Sequence, residues 1–258
     1  MEYTEQQKKQ AAEYRLPYHY FATFDPLQNT FSSFRRLSFA VYYAVTAKIV
    51  FDCLKERCAE TWLDVGCGDG ALISGLDRFL PDVLKSGIDY DPRSIELARL
   101  INPSLNFSVA DITAQSLEPA DAYDFVTLIE VFEHIPPTEG QAFLKALGSK
   151  VNKGGYILIT VPHINQRMPA KHYRHFTTET LKAEILDALP DFAIESIHGF
   201  GQKNLWERIV KGLFNTKAVY LELPVLNKLR LKAQLKALPV REERCQQLIA
   251  ILKKETSC

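Results

Sequence analysis

The chain has 258 residues, 47% hydrophobic and 24% charged, with a formal net charge of zero, which is enough apolar material for one large core. Cys53, Cys58, Cys67, Cys245 and Cys258 are odd in number and form no CxxC pair, which excludes a disulfide framework and a structural zinc cluster and fits a reducing cytoplasm. The balanced charge conceals a gradient: residues 61–201 carry 11 basic and 19 acidic side chains, and residues 202–258 carry 12 and 5. The basic end is a candidate contact for an anionic partner, although a solvated helical face is the simpler reading.

Residues 1–60 read as a largely helical extension, with the aromatic-rich stretch YRLPYHYFATF near its front as a candidate lid. The opening MEYTEQQKKQAAEY is too polar for a secretory signal. The apolar run Leu37–Phe51 contains Lys48 and falls short of the ~20 residues of a spanning helix, so a soluble protein is expected. From residue 61 to 200, short apolar runs alternate with helix-period segments. TWLDV, VLKSGID, NFSVA, FVTLI, YILITV and FAIESI read as buried strands. Asp91 and Pro92 open a helix over DPRSIELARLI; Thr138 and Gln141 read as a capping box; Thr177 or Thr178 caps TETLKAEILDAL. This alternation predicts a doubly wound, mostly parallel α/β sheet. Residues 201–258 read as a basic helical extension, with LWERIVKGLF and VLNKLRLKAQLKAL packing on the core, in a homodimer or on a membrane surface.

In an open α/β sheet, ligands bind beyond the carboxyl ends of the strands. The first strand runs into LDVGCGDG, where Gly66, Gly68 and Gly70 free the backbone for close approach, and Asp64 suits a cationic ligand better than a diphosphate. Asp89, 25 residues after Asp64, ends the second strand, where a carboxylate accepts both hydroxyls of a ribose. Asp111 ends the third, placed to accept from an exocyclic adenine amine, with Tyr90 and Ile112 on the ring faces. Each acid alone is more simply a cap or turn residue. Three in order at successive strand ends point to one ligand.

After the fourth strand comes EVFEHIPP. Glu130, Glu133 and His134 share a face if the chain turns helical there, giving a metal site, an acid/base site or a polar strand corner.

Together, LDVGCGDG, GIDYDP, VADI and EVFEHIP resemble the class I S-adenosylmethionine-dependent methyltransferases over about residues 60–200. The resemblance implies a seven-stranded sheet whose last strand is antiparallel. It places Asp64, Gly66 and Gly68 around the methionine part of the cofactor, Asp89 at the ribose, and Tyr90, Asp111 and Ile112 at the adenine. Two branches of the family share the later wording. Small-molecule and glycan-pathway enzymes carry an EH(I/V)P segment followed by a stretch like HYRHFT, residues 172–177 here. The small-RNA 3′-terminal 2′-O-methyltransferases hold a divalent ion with an E-x-x-E-H motif and a later histidine. Glu130, Glu133 and His134 match that motif, with His172 the best later histidine and His175 second. Such a set suits Mg, Mn, Fe, Ni or Zn; without a metal, the histidines serve as base or positioning groups. His163 follows Pro162 and is a candidate wall of the acceptor pocket. The expected activity is O-methylation of a hydroxyl on a sugar, glycan precursor or other small metabolite, with a metal chelating a vicinal diol. The alternatives are methylation of RNA 3′ ends and a non-catalytic, cofactor-binding partner subunit.

Overall fold

The computed structural model describes residues 4–6, 8, 21–27, 30–33, 37–114, 122–202 and 224–256. In chain order these form β1 (Phe21–Asp25), β2 (Thr30–Ser33), α1 (Leu37–Glu56), β3 (Thr61–Val65), α2 (Ala71–Asp77), β4 (Leu84–Asp89), α3 (Pro92–Ile101), β5 (Asn106–Val109) and β6 (Tyr123–Ile129). There follow α4 (Gly140–Ser149), β7 (Val151–Pro162), α5 (Thr178–Ala188), β8 (Phe192–Phe200), α6 (Pro224–Lys236) and β9 (Gln247–Lys254).

Seven strands make one sheet in the order β5-β4-β3-β6-β7-β9-β8. Strands β3 to β7 pair in parallel, and β9 runs antiparallel between β7 and β8. The expected doubly wound sheet is therefore present, with the reversed strand that the sequence left unplaced.

Alternation along the strands builds two cores. Trp62, Phe125, Leu158, Ile249 and Ile251 face one layer, against α1, α2 and α3. Leu63, Val126, Ile157, Leu248 and Ala250 face the other, against α4 and α5. Both faces are covered, so the strands read as apolar runs rather than as alternating ones.

Local signals held where the side chain had no competing partner. The Asp91 carboxylate accepts from Arg93 N at 3.0 Å, and Thr177 forms a reciprocal capping box with Thr180. The Thr138 capping box does not form: α4 starts at Gly140 without a side-chain cap, and the Gln141 amide pairs instead with Asp187 on α5. Residues 21–25 and 30–33 are not helical, because β1 and β2 pair antiparallel. Tyr14, Tyr18, His19, Tyr20 and the LWERIVKGLF segment lie outside the described residues. The VLNKLRLKAQLKAL helix is present as α6, and it is followed by a core strand rather than by more tail.

Candidate active site

The glycine loop leaves β3 and turns back on β4. Gly66 N and Cys67 N donate to Ile88 O at 2.8 and 3.0 Å, and Gly68 N donates to the Asp89 carboxylate at 3.0 Å. Gly66 has φ +73, in the left-handed region that glycine tolerates. A Cβ there would come within 2.4 Å of Val131 Cγ2, so the glycine leaves room for the segment after β6.

Asp64 and Asp89 lie beneath this loop, 3% and 4% exposed. Burial pushes the Asp64 carboxyl up to about 7, with nearby Asp89 adding to the rise and the Thr127 hydroxyl, 2.6 Å away, opposing it. Burial likewise pushes Asp89 up to about 6, against the N–H groups of Asp91 and Gly68. Asp111 uses one carboxylate oxygen to hold its own turn, accepting from Thr113 N at 2.9 Å and Oγ1 at 2.7 Å.

A cavity of about 550 Å³ opens over these strand ends, a size typical of small-molecule sites. Asp64, Gly66, Gly68, Asp89, Tyr90, Asp111 and Ile112 all line it. Glu130, Glu133, His134 and His172 line it too. The sequence-predicted cofactor and acceptor residues therefore share one space.

The EVFEH segment is a short 3-10 turn, Phe132–His134, rather than an α-helix. His134 Nδ1 lies 3.1 Å from Lys171 O. A carbonyl only accepts, so Nδ1 carries the proton and Nε2 the lone pair. That lone pair lies 3.9 Å from Glu133 Oε1. Glu133 is 1% exposed, and burial first, then the neighbouring Glu130, holds its carboxyl well above the usual range. Two electron-rich groups this close and buried call for a proton or a cation between them. His172, edge-on to His134 with ring centroids 4.6 Å apart, is pushed down to about 3, by burial foremost and then by His134, and is neutral.

One ligand atom each from Glu133, His134 and His172 lies within 4.8 Å of the others, and this is the one such potential metal cluster among the described residues. Glu130 is not part of it. Its backbone adopts φ +55, and its N–H donates to Thr160 O at 3.1 Å and Oγ1 at 3.2 Å. His175 stands behind His172, its Nε2 2.9 Å from His172 Nδ1, and does not line the cavity. Nor does His163, which is buried and bonded to Glu242 and Asn165 N at 3.2 and 3.1 Å. Among the lining residues that went unseen in the sequence are Lys171, Gln247 and, on α1, Tyr42. Lys171 adjoins the HYRHFT stretch and was within reach of inspection. Gln247 carried no local signal.

The methyltransferase domain family matches residues 18–189, more than half of the chain. The chain belongs to the class I S-adenosylmethionine-dependent methyltransferases. It is 31% identical over 122 residues to a ubiquinone biosynthesis O-methyltransferase of Alkalilimnicola ehrlichii, covering 46% of this chain and 48% of that one. It is 34% identical over 110 residues to the protein of the same name from Acinetobacter baylyi, covering 41% and 44%. The chain thus spans about half the length of the curated relatives it matches. Among solved structures, a SAM-dependent methyltransferase from Archaeoglobus fulgidus superposes with TM-score 0.54 at 21% identity, covering 81% of this chain and 94% of that one. The methyltransferase domain of bacterial CtHen1-C superposes with TM-score 0.56 at 14% identity, covering 82% and 97%. These two structures share the fold. No helix among the described residues is long and apolar enough to cross a membrane.

The described residues fit the cofactor that the family implies. A Cβ would fill the turn at Gly66, and buried carboxylates stand at the ends of both β3 and β4.

Proposed function

We propose that this methyltransferase transfers the methyl group of S-adenosylmethionine to a hydroxyl of a small acceptor, one that carries a second hydroxyl beside the first. The observation that carries this reading is the convergence of Glu133, His134 and His172 on the cavity that the glycine loop also lines. The O-methyltransferase names of relatives that cover half their length support the hydroxyl as acceptor. Sugars, glycan precursors and other polyol-like metabolites fit the class.

The sulfonium is already a good leaving group, so alignment and proton removal are the remaining tasks. The glycine loop, Asp64 and Asp89 would hold the cofactor, and its methyl group supplies the electrophile. Glu133, His134 and His172 would hold a divalent ion, which would lower the pKa of a bound hydroxyl and favour a vicinal diol. The donor set, one carboxylate and two neutral imidazoles, suits Mn, Fe or Zn better than Mg. The chain supplies the rest. Lys171 O fixes the His134 tautomer so that Nε2 faces the acceptor. Without an ion, that nitrogen takes the hydroxyl proton, and Glu133 beside it stabilises the imidazolium. A terminal ribose of RNA presents the same diol. The acidic core disfavours that partner.

The test is elemental analysis of protein purified without chelator, beside calorimetric titration with S-adenosylmethionine, for wild type and Glu133→Ala/His134→Ala. The expected result is cofactor binding by both proteins and a near-stoichiometric divalent ion in the wild type alone. Cofactor binding with no metal uptake would remove the ion and leave His134 as the base. Failure to bind the cofactor would overturn the reading, and turnover unaffected by the double substitution would remove these residues from the chemistry.

A further inference from the structure

Gln247 opens β9, the reversed strand, and sits in register opposite Pro162 of β7 and Phe200 of β8. It lines the cavity with Glu130, and its side chain lies near enough to the Glu130 carboxyl to favour the ionised form. The Gln247 amide offers an NH₂ donor and a carbonyl oxygen acceptor. That oxygen, Gln247 Oε1, is buried without a hydrogen-bond partner, and so is Glu130 Oε1. Native interiors rarely leave such acceptors unmatched, least of all two on adjoining residues of one cavity wall. Glu130 also holds the left-handed backbone at φ +55, a conformation that non-glycine residues adopt mainly where function requires it.

Gln247 lies across the sheet from the glycine loop, with Glu130 at the end of β6 between them. The glycine loop, Asp89 and Asp111 follow β3, β4 and β5, on one side of β6. Thr160 and Gln247, the neighbours of Glu130, belong to β7 and β9, on the other side. With strands ~4.8 Å apart, β9 lies roughly 14 Å across the sheet from β3.

We infer that Gln247 and Glu130 form an acceptor-recognition subsite, in which one of the two oxygens accepts the hydrogen bond of the substrate hydroxyl that is not methylated. Gln247 is then a specificity-determining residue. This rests on the reading above that the acceptor is a small molecule with neighbouring hydroxyls. A site built to accept from a hydroxyl discriminates strongly against the analogue lacking it, because its buried oxygen is then left unpaired.

The experiment uses the full chain and two matched probe pairs: catechol with phenol, and methyl riboside with its 2-deoxy counterpart. Methylation is followed with labelled S-adenosylmethionine in the presence of manganese. Wild type is expected to favour the diol of at least one pair. Gln247→Met, matched in length but without the acceptor oxygen, is expected to lower that diol preference in kcat/KM about tenfold. Calorimetry with S-adenosylhomocysteine checks the fold of the variant, and Gln247→Leu repeats the measurement if the first variant does not fold. An unchanged preference in a variant that binds S-adenosylhomocysteine overturns the subsite. So does an equal loss on both members of a pair, which marks a structural effect. Wild type that binds the cofactor yet methylates none of the four probes overturns the diol and the subsite together, while leaving the methyltransferase assignment standing.

Discussion

Val131 closes over Gly66: a Cβ on the glycine would lie 2.4 Å from Val131 Cγ2 and 3.2 Å from Cγ1. The turn that would receive the cofactor and the turn that carries Glu133 and His134 are therefore shaped against each other. They sit at the ends of adjacent parallel strands, β3 and β6. Neither loop can shift alone, which couples cofactor geometry to the acceptor residues of the cavity.

Gly66→Ala is accordingly expected to lose about 2–5 kcal/mol, from a left-handed backbone that costs a Cβ about 1–2 and from overpacking that costs about 1–3. Urea denaturation measures the loss, and calorimetry should show S-adenosylhomocysteine binding at least about tenfold weaker. Adding Val131→Ala should return the packing part and leave the backbone part. No recovery would mean that the contact with Val131 is not the source.

Arg174 lies in the HYRHFT stretch, between His172 and His175. Its guanidinium stacks 4.7 Å from the Phe132 ring and 5.1 Å from the Phe176 ring, and Nη1 donates to Glu184 at 2.9 Å. Phe132 belongs to the EVFEH turn and Phe176 to HYRHFT, so the stack ties the two together. Arg174→Met is expected to cost about 1–3 kcal/mol. Glu184→Gln should cost less than about 1 kcal/mol, because Glu184 is partly exposed and the stacking survives. Equal losses in urea denaturation would put the weight on the ion pair rather than on the rings.

Much of the site was legible because it is written locally. Glycines after a strand, acids at three strand ends, and the E-x-x-E-H and HYRHFT spacings need no knowledge of what packs where. The missed parts depend on tertiary pairing. QLIAILKK was absorbed into a basic tail by composition, yet five consecutive residues of it are buried, because both faces of β9 meet a core. With β9 unplaced, Gln247 had no reason to attract notice. The Thr138 capping box had the right letters, but Gln141 found a better partner in Asp187. His175 and His163 share the neighbourhood of the site, and only the fold shows that His172 stands between His175 and the cavity and that Glu242 occupies His163.

Thr127 holds two buried groups at once, donating to Asp64 at 2.6 Å and receiving Trp62 Nε1 at 2.9 Å. Thr127→Val should therefore cost about 2–6 kcal/mol, since each of the two orphaned buried groups costs about 1–3. The loss should depend on pH. The Asp64 carboxyl stands at about 7 in the fold against 3.8 ordinarily. A carboxyl raised in this way contributes stability that is fully present below about 4 and is lost as pH rises through about 7. Removing the hydroxyl that favours the ionised form raises the carboxyl further, so the penalty should be larger at pH 8 than at pH 5. Denaturation curves at those two values decide it, and a penalty independent of pH would mean that the Asp64 contact contributes nothing.

Asp89 gives the same sign for the free protein and the opposite sign for the ligand. Burial raises it from 3.8 to about 6, so its share of the free protein's stability is present below about 4 and lost as pH rises through about 6. A ribose placed at this strand end donates its hydroxyls to the carboxylate and so favours the ionised form. Binding from below pH 6 must then release the proton, and affinity should climb by up to about tenfold per pH unit until the group is ionised. S-adenosylhomocysteine is therefore expected to bind about tenfold more weakly at pH 5 than at pH 7. Asp89→Asn, which keeps the shape and cannot ionise, should bind more weakly at pH 7 and show a flatter profile. Calorimetry across this range in wild type and variant separates Asp89 from Asp64, whose titration the variant retains. A wild-type profile that the substitution leaves unchanged would remove Asp89 from the ribose.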